Sequence, residues 1–141
     1  MSTQNLQRFT DAQLKTYTRA LTEISQGRKQ SHWMWYIFPQ VQGLGFSEMS
    51  RLYAIKDLNE AQAFLQHPIL GKRLIGICEE LLQLKENNPT KIFGSPDDMK
   101  LQSCMTLFSV VPGAHMVFQL VLDKFFGGQK DEKTLRILNE T

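Results

Sequence analysis

Apolar residues recur along this chain at helical rather than alternating spacing. Leu14, Tyr17, Leu21 and Ile24 fall three or four apart, which places them on one side of a helix. Thr10-Asp11-Ala12-Gln13 reads as a capping box at its start, and Gly27 as its stop. The spacing therefore predicts a helix over 11–26, with Phe9 as a staple. Ser47 reads as the cap of a short helix over 48–55. Asp57-Leu58-Asn59-Glu60 is a second capping box, opening a helix that runs through Gln66 and ends at His67-Pro68. A helix over 68–85 carries Leu70, Leu74, Ile77, Cys78, Leu81 and Leu82 as a core face. Asn87-Asn88-Pro89 breaks it, and a brief turn over 89–93 ends at Gly94. Ser95-Pro96-Asp97-Asp98 combines a cap, a first-turn proline and two acids against the positive helix end. It opens a helix over 96–110, with Met99, Leu101, Met105 and Phe108 turned partly inward. A further apolar helix spans 114–126 and stops at Gly127-Gly128, and Asp131 caps a last helix holding Leu135 and Leu138.

No stretch alternates long enough to argue for a sheet. The pattern predicts an all-α fold, a compact bundle of about seven or eight mostly short helices. Residues 1–8 are expected to form a flexible N-terminus and 9–141 a single helical domain.

One stretch breaks the amphipathic pattern. From Trp33 to Pro39 seven residues carry no charge, and both tryptophans of the chain lie among them. Periodicity does not decide between a short helix and an extended segment here, although Pro39 ends any helix at Phe38. Gly43 and Gly45 punctuate the loop that follows. The run is read either as a central core plug or as one wall of a pocket.

Composition narrows the class. A chain of 141 residues fits one domain, long enough to bury its own core. A net charge of +2 sets up no global field for nucleic acid, which ranks last among the partners considered. The two cysteines, Cys78 and Cys104, lack CxxC spacing and lie in helical patterns, which excludes a disulfide framework. Two free thiols fit a reducing, cytoplasmic setting. No apolar run approaches the ~20 residues that span a bilayer, and the N-terminus has no signal-peptide pattern. The three histidines have no metal-ligand spacing, so no metal or cofactor is expected.

The candidate chemistry lies in two stretches, 29–40 and 95–106. Lys29, Trp33, Trp35 and Gln40 from the first, with Asp97, Lys100 and Ser103 from the second, are the residues expected to bind a ligand. Aromatic faces stack on a ring, the lysines meet negative charge, and the amide and hydroxyl orient. His32 and Asp98 are the candidate catalytic pair, as groups able to move a proton. Asp97 and Asp98 also fit plain helix-end acids, and His32 a hydrogen-bonded structural histidine. Cys104 has the setting of a small core residue more than that of a nucleophile. The expected ligand is small and anionic, nucleotide-like or a sugar phosphate. The alternative is a non-catalytic interaction module or homodimer, with exposed aromatics as the partner surface.

The two stretches also carry a resemblance. His32-Trp33-Met34-Trp35-Tyr36-Ile37-Phe38-Pro39-Gln40 with Gly43-Leu44-Gly45, His67-Pro68-Ile69-Leu70-Gly71, and Ile92-Phe93-Gly94-Ser95-Pro96-Asp97-Asp98-Met99-Lys100-Leu101 resemble the bacterial domain of unknown function 1810 family. Ser103-Cys104-Met105-Thr106-Leu107-Phe108 and Phe125-Phe126-Gly127-Gly128 match as well, so the likeness extends from Phe9 to Leu138. It implies a mainly α-helical single domain and no particular reaction. It also implies that serine often stands where this chain has Cys104, which weakens thiol chemistry further. Members are sometimes labelled calpastatin, a disordered inhibitor, a label that conflicts with a packed-core pattern. A fainter resemblance, in Tyr53, Glu60-Ala61, Pro68 to Leu74 and Lys124-Phe125-Phe126 with Leu135, is to the ADP-ribose-linked glycosidase family related to riboflavin biosynthesis. It implies a nucleotide-like ligand.

Overall fold

Six consecutive residues, Ser103 to Phe108, are buried. A helix buried on all sides sits at the centre of a fold. This one is α8 (Asp97–Ser109), around which the other helices are laid. The computed structural model describes residues 6–140. Around α8 stand α5 (Leu58–Gln66), α7 (Pro89–Phe93), α9 (Val117–Phe126) and α10 (Glu132–Glu140). Outside them α6 (Leu70–Gln83) packs on α5 and α9, and α2 (Tyr17–Ser25) packs on α6. The remaining helices are α1 (Gln7–Leu14), α3 (Met34–Ile37) and α4 (Glu48–Leu52).

The fold is all-α and one compact domain. Among the described residues there are ten helices, more than the seven or eight expected. Two of the additional helices have identifiable causes. The expected helix over 11–26 is broken at Lys15 and Thr16, because α1 packs on α3 while α2 packs on α6. One straight rod does not serve both neighbours. The expected capping box at Thr10 does not form. Thr10 lies inside α1 with its hydroxyl on the Gln7 carbonyl, and the Gln13 amide instead donates to the Tyr36 carbonyl at 2.8 Å. Leu14, left at the break, is 73% exposed rather than part of the core. The aromatic run supplies α3, ended at Phe38 as Pro39 requires.

The expected flexible stretch, 1–8, lies outside the described residues up to residue 5. From Leu6 the chain is docked. Leu6 is buried, and Arg8 pairs with Glu60 at 3.1 Å and donates to the Leu52 and Ala54 carbonyls.

Other helix ends follow local chemistry. Asp57 accepts the Glu60 amide, Asp131 accepts the Thr134 amide, and Gly127 takes a left-handed conformation at φ 62°. Ser95 does not cap α8. Pro96 occupies that position, without a side-chain cap. Met99 points outward at 64% exposure, against the expectation that it turns in.

Edge-to-face and tilted rings thread the core from Phe9 through Phe64 and Phe108 to Phe118, with centroids 5.1 to 5.7 Å apart. The candidate site is positioned by a clasp. Gln42 N–H donates to the Ile55 carbonyl and Ile55 N–H to the Gln40 carbonyl, both at 2.8 Å. This isolated parallel bridge ties the two ends of the 41–55 segment, so the glycine loop and α4 stand as one unit beside α8. Among the described residues no helix is long and apolar enough to cross a membrane.

Candidate functional site

The structure brings the two candidate stretches together, through salt links that use up some of their members. Lys29 Nζ lies 3.0 Å from Asp97 Oδ2 and donates to the Ser31 carbonyl. Lys100 Nζ lies 3.4 Å from the other Asp97 oxygen. Asp97 is thus held between two cations, and the Lys29 side chain is only 9% exposed. Lys29 and Asp97 form an internal latch between the aromatic stretch and α8.

The two indoles separate. Trp33 is 0% exposed, and its Nε1–H donates to Glu23 at 2.9 Å. Its ring packs with Phe38 and Phe93. Trp33 is therefore core, and its ring has no open face for the expected stacking, being fully covered. Trp35, two residues on, is half-buried and lines a cleft, with Lys100 Nζ 5.2 Å from its ring centroid.

Glu23 was not among the expected residues. Its carboxylate accepts the Gln30 amide at 2.7 Å, the Ser31 amide at 2.9 Å, the Ser31 hydroxyl at 2.6 Å and the Trp33 indole. Burial by itself pushes this carboxyl up. The four donors together outweigh burial and lower the pKa from 4.5 to about 2. The signal in the sequence was an acid three residues from Ala20 on a buried helix stripe, where a carboxylate needs donors.

The expected catalytic pair is not assembled as a proton relay. Asp98 accepts the Thr90 hydroxyl at 2.6 Å and the Met99 amide at 2.8 Å, while His32 is exposed at a bend. Neither lines the clefts described next. Both thiols are buried, and burial raises the pKa of each far above the ordinary thiol range, so Cys78 and Cys104 stay protonated. Among the described residues no three His, Cys, Asp or Glu side chains gather as a metal site.

Two hollows flank the glycine loop. The larger, about 360 Å³, is lined by Trp35, Gln40, the loop from Gln42 to Phe46, and Ser50, Arg51 and Tyr53. The smaller, about 200 Å³, lies against α8 and includes Lys100, Ser103, Asp131 and Lys133. They share Gln40, Leu44, Gly45 and Ser50 as a common wall. Of the expected binders, Trp35, Gln40, Lys100 and Ser103 thus border open space. Ser103 is mostly covered, its hydroxyl on the Met99 carbonyl and near Asp131. Sequence reasoning missed Arg51, Tyr53 and Lys133, which stand on helix or loop positions with no distinguishing local pattern.

Arg51, Lys100 and Lys133 give the two hollows three cations against one lining carboxylate, Asp131. That carboxylate is already engaged by the Thr134 amide and hydroxyl. Arg51 and Lys133 enter no ion pair among the described residues. The arrangement presents positive charge beside an indole and three carboxamides, those of Gln40, Gln42 and Gln102.

The family model described as "Protein of unknown function (DUF1810)" matches residues 3–138. The chain belongs to this family. A comparison with curated proteins finds no match. Among solved structures, the family fold is seen in a crystal structure of the conserved hypothetical protein Rv1873 from Mycobacterium tuberculosis. That protein is 43% identical, the match covers 98% of this chain and 99% of that one, and the TM-score is 0.95.

Proposed function

We propose that this protein binds a small anionic ligand in the hollows beside the glycine loop. The observation that carries the reading is the juxtaposition of half-buried Trp35 with Arg51, Lys100 and Lys133 around open, partly polar space. Arg51 and Lys133 have no acidic partner among the described residues and Lys100 shares Asp97 with Lys29, an excess of positive charge that attracts anions, while a partly covered indole supplies apolar contact area. The ligand class is a nucleotide-like molecule or sugar phosphate. The buried thiols fit the cytoplasm as the working compartment.

Calorimetric titration with AMP, ribose 5-phosphate and pyrophosphate at low ionic strength tests this. Binding of at least one of them is expected, weakened by added salt and about tenfold by Arg51→Gln, the loss of one charge-assisted contact. Absence of binding by all three, or equal affinity in the Arg51→Gln protein, would overturn it.

A second reading has its own observation. Phe46, Met49 and Leu52 are 79%, 36% and 52% exposed on one short segment, the composition of a partner surface. Under that reading the chain associates with itself. Sedimentation velocity across a hundredfold range of concentration, with Leu52→Ser as control, would then show a dimer that Leu52→Ser dissociates.

A further inference from the structure

Phe46 is the most exposed large apolar side chain among the described residues, yet it lines the same cleft as Trp35. Its exposure is imposed by the backbone on both sides. A Cβ on Gly45 would stand 2.5 Å from Ser50 Oγ and 2.7 Å from Ser50 Cβ, so residue 45 is pressed onto α4. Ser47 Oγ accepts the Ser50 amide at 3.1 Å and lies 2.9 Å from Ser50 Oγ, which anchors the next residue to the same serine. Phe46 sits between two anchors on one side chain, and the loop holds its ring out at the cleft rather than letting it fold into the core.

The cleft therefore has aromatic rings from three elements, Trp35 on α3, Phe46 on the loop and Tyr53 at the end of α4, and of these Phe46 is the most exposed; Arg51 is in the same lining. Gln40 and Gln42 add carboxamides, each able to donate and accept. Saturated sugars offer hydroxyls and a puckered C–H face to such a wall, but no planar π face. A planar heterocycle offers both a face to the rings and an edge to the amides.

We propose that Trp35 and Phe46 form an aromatic clamp for a flat heterocyclic ring. The ligand class is then narrowed from any small anion to a ring-bearing one, a nucleoside phosphate rather than a sugar phosphate. This rests on the binding function proposed above. Phe46 acts as a specificity-determining residue for the ring, and Arg51 meets the anionic group. Base-on-aromatic stacking tolerates the identity of the base, so the clamp selects for flatness and leaves base choice to the amides.

The test compares AMP with ribose 5-phosphate by calorimetry, in the native chain and in Phe46→Leu and Leu52→Ser. AMP is expected to bind at least tenfold more tightly than ribose 5-phosphate. Phe46→Leu removes about tenfold of the AMP affinity and leaves ribose 5-phosphate unchanged. Leu52→Ser, an exposed apolar position outside the cleft lining, changes neither. Equal binding of the two ligands, or AMP binding indifferent to Phe46→Leu, overturns the clamp while the anion-binding function stands. Binding of neither ligand, with pyrophosphate still bound, also overturns the clamp alone. Failure of all three ligands removes both proposals. Far-ultraviolet circular dichroism and the melting temperature confirm that Phe46→Leu is folded, as an exposed position allows.

Discussion

Glu23 shows how a single buried charge becomes a structural asset. Four donors converge on it from the chain just beyond α2, and without them a carboxylate at 7% exposure would be a liability. Lowering its pKa from 4.5 to about 2 is worth on the order of 3 kcal/mol at neutral pH. Because the folded value lies below the unfolded one, this stability is present above about pH 4.5 and is lost as pH falls toward 2. Glu23→Gln removes the charge and sets an amide N–H₂ against donors. Urea unfolding at pH 7 should find the variant destabilised by about 3 kcal/mol. The difference from the native chain should shrink between pH 4.5 and 2.5, and a difference constant over that range would refute the assignment. Residues such as Glu23 were hard to read from the sequence because their partners are set by where the next loop goes. Trp33 and Trp35 posed the same difficulty: two residues apart in one uncharged run, they differ only in which side of a one-turn helix meets the core.

At the scale of elements, the readable features were those decided by neighbours in the chain. Gly27, Asp57, Asp131 and Gly127 end or begin helices where their backbone or side-chain chemistry predicts. What escaped was the break between α1 and α2, decided by packing against α3 and α6, and the cap of α8, where Pro96 stands in place of Ser95. The junction of α5 and α6 shows how close that packing is. A Cβ on Gly71 would stand 2.1 Å from the Leu65 carbonyl oxygen, a backbone atom that cannot step aside. Alanine is favoured over glycine in a helix by up to ~1 kcal/mol, and a clash with backbone outweighs that. Gly71→Ala should destabilise the protein by about 2 kcal/mol or more. Gly76, later in α6, has only the Tyr17 hydroxyl at 3.3 Å from such an atom. Gly76→Ala should therefore stay within about 1 kcal/mol of the native chain. Paired denaturant titrations check both, and equal effects would mean that the α5–α6 turn yields.

For the molecule as a whole, an all-α single domain was legible because apolar residues follow the 3.6-residue period almost throughout. The candidate site was legible only as two stretches. Their meeting through Lys29, Asp97 and Lys100 is present in the fold, whereas the cleft beside them is completed by Arg51, Tyr53 and Phe46 from a segment with no conspicuous pattern. The core's closure has a direct chemical readout. Cys78 and Cys104 are both 0% exposed, and their sulfurs are insulated from base as well as from solvent. A disulfide reagent such as Ellman's should leave both thiols untouched in native buffer and titrate two per chain in urea. Rapid reaction of either thiol at neutral pH without denaturant would contradict the packing around α8.

The division of labour between the two tryptophans has a practical side. They are the chain's only indoles, and one faces a fixed carboxylate in the dry interior while the other borders open space beside a lysine. Emission from Trp33 reports whether the protein is folded, and emission from Trp35 would respond to a ligand entering the cleft. The polypeptide thus carries its own pair of optical probes, an internal standard and a sensor, with no label attached.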